Sequence, residues 1–286
     1  MKKQFLSIFF LTAFLAGAAD LTVSQLDFDS TPEAQKRYLA QPYSWWGRGK
    51  YPVKKDERGK IVVLSNSRTR YVFFLFGKYN SKGEWFPDIG MIKPSKANWA
   101  AGGFISFTSG KIKAKQCAVT VSDIRDGGFT LNYKGVSYTA RCRLELKKDD
   151  DRLYLLFDAP SQTTVQLTAY PSSYAGSFSR GLKLRKRFAV TPKQRIPMGR
   201  SVTLAPEEYY VFLGDSWFDP GSNRGEGPCA VIFDPAKTRC RVSVQNYNCL
   251  LQLTGKGAMP FILFDFNGTS NAEAERIMRE LPVKFN

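Results

Sequence analysis

The stretch 214–227, GDSWFDPGSNRGEG, gathers Asp215, Trp217, Asp219, Asn223, Arg224 and Glu226 among four glycines and a proline. Strand-like apolar runs flank it, EYYVFL before and PCAVIF after. Asp215, Asp219, Asn223 and Glu226 offer oxygen ligands at offsets 1, 5, 9 and 12. An EF-hand loop also needs an oxygen at position 3 and glycine at 6. Trp217 and Pro220 stand there instead, so the match is partial. No cofactor is required, and calcium is the one the residues leave open. Asp219 and Glu226 are also candidates for the two carboxylates of a glycosidase. A third reading is a ligand grip. Asn223, Arg224 and Glu226 would hydrogen-bond sugar hydroxyls while Trp217 stacks on a sugar face. A fourth is a long connection whose Asp and Asn side chains cap its own turns.

A second stretch, TAYPSSYAGSFSRG (168–181), sets Tyr170, Tyr174 and Arg180 beside a basic segment. β-Elimination of a uronic polymer needs a cation to neutralise the carboxylate, a base and an acid. Tyrosine and arginine supply all three without histidine. The chain has no histidine at all, which excludes Ser-His-Asp and Cys-His catalysis and histidine-ligated zinc.

Charge narrows the partner. The net charge is +17, and leaving out Lys2 and Lys3 makes it +15. A field of that sign attracts polyanions. Between Asp158 and Glu207 there is no acidic residue and there are eight lysines and arginines. Read as strands, GKIKAKQ puts Lys111, Lys113 and Lys115 on one face, and LKLRKRF does the same for Lys183, Arg185 and Arg187. Such stripes bind carboxylates, sulfates or phosphates, or they protect an edge strand. Trp85, Trp99 and Trp217 fall in expected loops and complete a set of ligand-binding candidates. No RNP-like or helix-turn-helix pattern is present, so an anionic glycan is the expected partner rather than nucleic acid.

The elements that must position these residues are mostly strands. Segments such as KIVVLS, TRYVFFLFG, VSYTARCRLELK and RCRVSVQ are β-branched and aromatic, and turn signals such as Lys134-Gly135 separate them. In ARCRLELK, Cys142, Leu144 and Leu146 face one way and Arg141, Arg143, Glu145 and Lys147 the other. VFFLF (72–76) and VIF (231–233) lack alternation and fit strands covered on both faces. The expected fold is all-β, an antiparallel β-sandwich with a short N-terminal helix over Pro32–Leu39 and a C-terminal amphipathic helix. Ser30 to Glu33 and Ser270 to Glu273 are the capping signals of these two helices. Segments 78–101, 171–181 and 214–227 read as long loops.

Residues 1–19 carry two lysines, an apolar run from Phe5 to Leu15 and small residues before position 20, the pattern of an export signal. The rest, 20–286, reads as one sandwich domain with 20–59 peripheral. It has no transmembrane segment and lies in the periplasm or outside the cell. Cys117, Cys142, Cys229, Cys240 and Cys249 are an odd set without CxxC. A hairpin centred on Asn246-Tyr247 sets Cys240 opposite Leu253, so Cys240 and Cys249 do not face each other. The five therefore read as buried small hydrophobes. The leading functional expectation is non-catalytic binding of an anionic or other polysaccharide. The alternatives are a Tyr/Arg lyase, an Asp/Glu glycosidase, and a structural envelope protein without a small ligand.

Overall fold

The computed structural model describes residues 21–40, 57–82, 84–93, 99, 105–125, 127–171, 186–216, 218, 227–266 and 268–281. The expected export signal lies outside them. In chain order the elements are β1 (Thr22–Phe28), α1 (Pro32–Leu39), β2 (Glu57–Ser65), β3 (Arg70–Tyr79), β4 (Trp85–Lys93), β5 (Ile105–Ser109), β6 (Ile112–Lys113) and a 3-10 turn at Ala114–Gln116. β7 (Ala118–Arg125), β8 (Gly128–Lys134), β9 (Thr139–Leu146), β10 (Leu153–Ala169), β11 (Arg187–Val190), β12 (Arg195–Pro197) and β13 (Ser201–Thr203) follow. The chain continues with β14 (Tyr210–Asp215), β15 (Cys229–Phe233), β16 (Thr238–Val244), β17 (Cys249–Asp265) and α2 (Asn271–Glu280). Every strand pairing is antiparallel.

β10 and β17 are each 17 residues long and pair along nearly their whole length, from Leu153 opposite Leu263 to Ala169 opposite Cys249. The register slips once, between Ala159 and Thr163. Gly255, Lys256 and Gly257 stand across from that slip. A Cβ on Gly255 would collide with the carbonyl oxygen of Lys237, and Gly257 has φ +73°. Glycine is therefore needed where the paired strands turn a corner. Before the corner β10 continues through β9, β8 and β7, and the matching part of β17 continues through β15, β14, β11 and β12. Beyond it, β10 pairs with β5, which pairs with β6, while β17 pairs with β16, which pairs with β13. One pair of bent strands thus supplies both layers of an antiparallel sandwich, as the strand pattern of the sequence predicts.

Alternation fills the interior. Leu144, Leu155, Leu263 and Val231 from one layer meet Val165, Leu167, Leu251 and Val242 from the other in a single core. β1 to β4 form a separate four-stranded sheet whose Val62, Leu64, Tyr71 and Phe73 join that core. Phe73 meets Phe129 edge-on at 5.0 Å. The Asn66 amide donates to the carbonyls of Lys147 and Asp150 at 2.7 and 2.6 Å, which ties the β2–β3 turn to the β9–β10 turn. Val72 to Leu75 and Val231 to Phe233 are buried at every position, as their lack of alternation predicts.

Both helices occupy their expected positions. Thr31 rather than Ser30 caps α1, accepting from the Ala34 N–H at 3.3 Å. Ser270 caps α2 by accepting from Glu273 at 3.2 Å. α2 lays Ala274 and Met278 on the outer apolar face formed by Phe212, Ile232 and Ile262. Among the described residues no helix is long and apolar enough to cross a membrane.

Three expectations change. The segment 78–101 contains β4, paired with β3 from Trp85 opposite Tyr79 onward. Pro87 and Gly90 inside it conceal the strand in the sequence, and the bulge between Phe74 and Leu75 absorbs the irregularity. Residues 22–28, read as peripheral, form β1 on the edge of the four-stranded sheet. RLYLLFD and TTVQLTAY, read as two strands, are the two halves of β10.

All five cysteines are buried free thiols, and Cys240 does stand opposite Leu253. Burial pushes the Cys142 and Cys249 thiols up to about 12, and raises Cys117, Cys229 and Cys240 as well. Thiols whose folded values exceed their unfolded ones leave stability intact below the unfolded value, about 8.5. Unfolded chains then lose protons that the native state keeps, so stability falls as pH rises from there toward the folded values. The native protein is expected to leave all five thiols unreacted with Ellman's reagent at pH 8 and to react at all five once unfolded in urea. Gly255→Ala is expected to lower the urea midpoint by the equivalent of about 1–3 kcal/mol, the usual cost of overpacking.

Candidate functional site

The second layer turns a distinct face to solvent. Its inner positions, Phe107, Val165, Leu253 and Cys240, belong to the core, so the alternate positions must point outward. Those positions align in cross-strand rows. One row runs Arg239, Thr254, Thr164, Thr108, Lys113 across β16, β17, β10, β5 and β6. The next runs Thr203, Arg241, Gln252, Gln166, Ser106 across β13, β16, β17, β10 and β5. A shorter row holds Ser201, Ser243, Leu250 and Thr168. The face spans about 19 Å across five strands at about 4.8 Å each, with rows about 7 Å apart.

The two longer rows are polar throughout, and the shorter one is broken by Leu250. The centre of the face is hydroxyl and carboxamide, and each of these groups both donates and accepts hydrogen bonds. Thr164 and Thr254 share a hydrogen bond of 2.8 Å, and Ser201 and Ser243 one of 2.7 Å. The cations flank this centre, Arg239 and Arg241 on β16 and Lys113 on β6, and all three are exposed. Lys256, at the corner of β17, is exposed as well. None of the strands forming the face beyond the corner carries an aspartate or glutamate. Neither Arg239 nor Arg241 has an ion-pair partner among the described residues. This face can hold a hydroxyl-rich ligand over its middle and anionic groups at its ends.

The other layer carries a groove of about 930 Å³ on its β7–β10 side. Thr120, Asn132, Arg141 and Asp158 line it as one further cross-strand row, with Lys134 beside them. Lys60 and Glu84 close it from the four-stranded sheet. Asp27 holds Lys60 at 2.6 Å, and the Asn80 amide donates to Glu84 at 2.8 Å.

The residues singled out in the sequence divide three ways. Lys111, Lys113 and Lys115 are exposed, but they do not share one strand. The 3-10 turn at 114–116 interrupts it, because the Gln116 carboxamide accepts the Lys113 N–H at 2.8 Å and folds the chain back. Only Lys113 joins the polar rows. Arg187, Asp215, Trp99 and Tyr170 go inside. Trp99 is 0% exposed and belongs to the core, which removes it as a stacking platform. Tyr170 is buried at 8% exposure. Arg187 stands opposite Asp215 on β11 and β14, with both side chains 0% exposed and Nε 3.9 Å from Oδ2. Arg187 also donates to the Asn246 carbonyl. Burial, the largest influence, lowers the Arg187 pKa from its ordinary value. Arg187 is therefore no part of a surface stripe. Asp215 is buried beside Arg187, and the rest of the loop's candidate oxygen ligands lie outside the described residues. Trp85 opens β4. Tyr174, Arg180, Lys183, Arg185, Trp217, Asp219, Asn223, Arg224 and Glu226 lie outside the described residues. Among the described residues no group of three His, Cys, Asp or Glu is placed to hold a metal.

The residues that do come together, Gln166, Gln252, Thr164, Thr254, Arg239 and Arg241, went unnamed at first. Their signal was nevertheless visible: TTVQLTAY, CLLQLTG and RCRVSVQ each alternate polar with apolar residues and lack acids.

No protein-family model matches the chain, and no curated protein matches its sequence.

Asp215→Asn is expected to cost about 3–5 kcal/mol in urea unfolding, because it removes the negative charge beside a buried guanidinium. Lys113→Gln, on the surface, is expected to stay within about 0.5 kcal/mol of the parent.

Proposed function

We propose that the protein is exported and binds an anionic polysaccharide, without cleaving it, on the outer face of β13, β16, β17, β10, β5 and β6. The observation that carries this reading is the pair of five-residue rows of Thr, Ser and Gln, with Arg239 and Lys113 at the ends of one row and Arg241 next to the end of the other, on strands free of carboxylates. Sugar hydroxyls donate and accept, as the row side chains do. Chain carboxylates or sulfates would meet the rim guanidinia, which prefer planar oxyanions. The face is broad and shallow, which suits a polymer lying across strands better than a small molecule enclosed in a pocket. The described part of the face offers hydroxyl, amide and cationic groups and no carboxylate to act as a general base, which favours binding over lysis. The +15 charge outside the leader lysines adds long-range attraction that salt would screen.

The test is retention on immobilised polygalacturonate and heparin, with dextran as the neutral control. The parent is expected to be retained on at least one anionic matrix and released by salt. Arg239→Glu/Arg241→Glu is expected to weaken binding about tenfold or more, the equivalent of losing charge-assisted hydrogen bonds worth about 1.5–3 kcal/mol. Retention of that variant equal to the parent's would remove the face from the binding surface. Growth of ultraviolet absorbance from unsaturated uronic ends would replace binding with lysis. Equal affinity for single-stranded DNA would reduce the reading to general attraction of polyanions.

A further inference from the structure

The groove on the opposite layer differs in kind from the polar face, and its charges say what it could take. Lys60 and Glu84 are already engaged, by Asp27 and Asn80. Arg141, Lys134 and Asp158 have no ion-pair partner among the described residues, although all three line the same groove. Arg141 stands directly opposite Asp158 on β9 and β10, and Asn132 directly opposite Arg141 on β8. The Asn132 amide donates to Ser122 at 2.8 Å, which leaves its carbonyl oxygen to accept. Pro160, exposed, supplies apolar lining, while Val119 beneath belongs to the core. A volume of about 930 Å³ lies within the usual range for small-molecule sites.

We propose that this groove is a second binding site, for an acidic sugar with one carboxylate on each ring, such as the terminal residues of a uronic oligosaccharide. Arg141 and Lys134 take the carboxylate. Asp158 and the Asn132 carbonyl accept hydrogen bonds from ring hydroxyls, and Pro160 faces the ring's C–H surface. Asp158 carries the specificity. Its negative charge opposes a second anionic group close by, so a densely sulfated or phosphorylated ligand is disfavoured. The same charge strengthens each hydroxyl hydrogen bond that it accepts. The site lies at the end of β10 that adjoins the corner at Ala159–Thr163, and the polar rows begin just beyond that corner at Thr164. The inference needs no ligand on the polar rows and stands if they bind nothing.

The probe is digalacturonate, titrated calorimetrically into the full chain, with its dimethyl ester and propionate as comparisons. Saturable binding of digalacturonate is expected, with the ester weaker. Arg141→Gln is expected to weaken digalacturonate about tenfold. The informative variant is Asp158→Asn. If Asp158 accepts from hydroxyls, this change weakens digalacturonate but leaves propionate equal or tighter. If Asp158 only repels the carboxylate, both ligands tighten and the sugar assignment falls. Absence of saturable binding at millimolar digalacturonate, or affinity unchanged in both variants, overturns the site. Both substitutions are at exposed positions, and thermal unfolding verifies that the variants fold. Arg241→Glu separates the two sites, since it should leave digalacturonate binding unchanged whether or not it abolishes retention on the polymer.

Discussion

Everything in this molecule hangs on the pairing of β10 with β17. These strands are long enough to serve both layers, and their shared corner at Ala159–Thr163 and Gly255–Gly257 turns one sheet into two. The corner keeps one set of alternate positions inward throughout. Phe157 and Val165 both reach the core although they lie on either side of it. The complementary positions stay outward, so the side chains of the two exterior surfaces are set by the parity of the same two strands. A one-residue slip of β10 would exchange Gln166 for Leu167 on the surface, and one of β17 would exchange Gln252 for Leu251.

Charge is distributed unequally across that corner. On the β7–β10 side the outward rows mix signs, with Arg141 opposite Asp158 and Arg143 paired to Glu145 at 3.1 Å. Beyond the corner the strands carry no acid, and the cations sit at or next to the ends of the rows, leaving the middle uncharged. Surface stability does not demand this separation, since exposed ion pairs contribute little. The arrangement gives one exterior that suits an extended anionic polymer and another that suits a compact ligand with both acid and hydroxyl groups.

Strand parity was legible in the sequence wherever it was regular. Cys142, Leu144 and Leu146 are buried while Arg141 and Arg143 are exposed, and the Asn246-Tyr247 turn correctly set Cys240 opposite Leu253. Helix ends were legible too, because Thr31 and Ser270 act locally through backbone N–H groups. Features decided by distant partners were not. Arg187 reads as one more cation in a basic run, yet it is buried opposite Asp215 of β14 and donates to the Asn246 carbonyl. Lys113 and Lys115 alternate like a strand, yet the Gln116 side chain competes for the backbone and wins. Trp99 looked like an exposed loop aromatic and fills the core. The candidate faces were half visible: the polar alternation of each strand could be seen, but which polar residues share a row depends on register between strands up to 90 residues apart, such as Thr164 and Thr254.

The central claim is that the uncharged rows themselves touch the ligand, with the rim cations holding its charges. Side-chain amide NMR tests this most directly, because Gln166 and Gln252 report from the middle of the face. Addition of an anionic oligosaccharide that the protein retains should shift both side-chain NH₂ resonances in proportion to occupancy and leave them unmoved in Arg239→Glu/Arg241→Glu. Saturable binding with the Gln166 and Gln252 resonances unchanged would contradict the account and place the polymer elsewhere on the molecule.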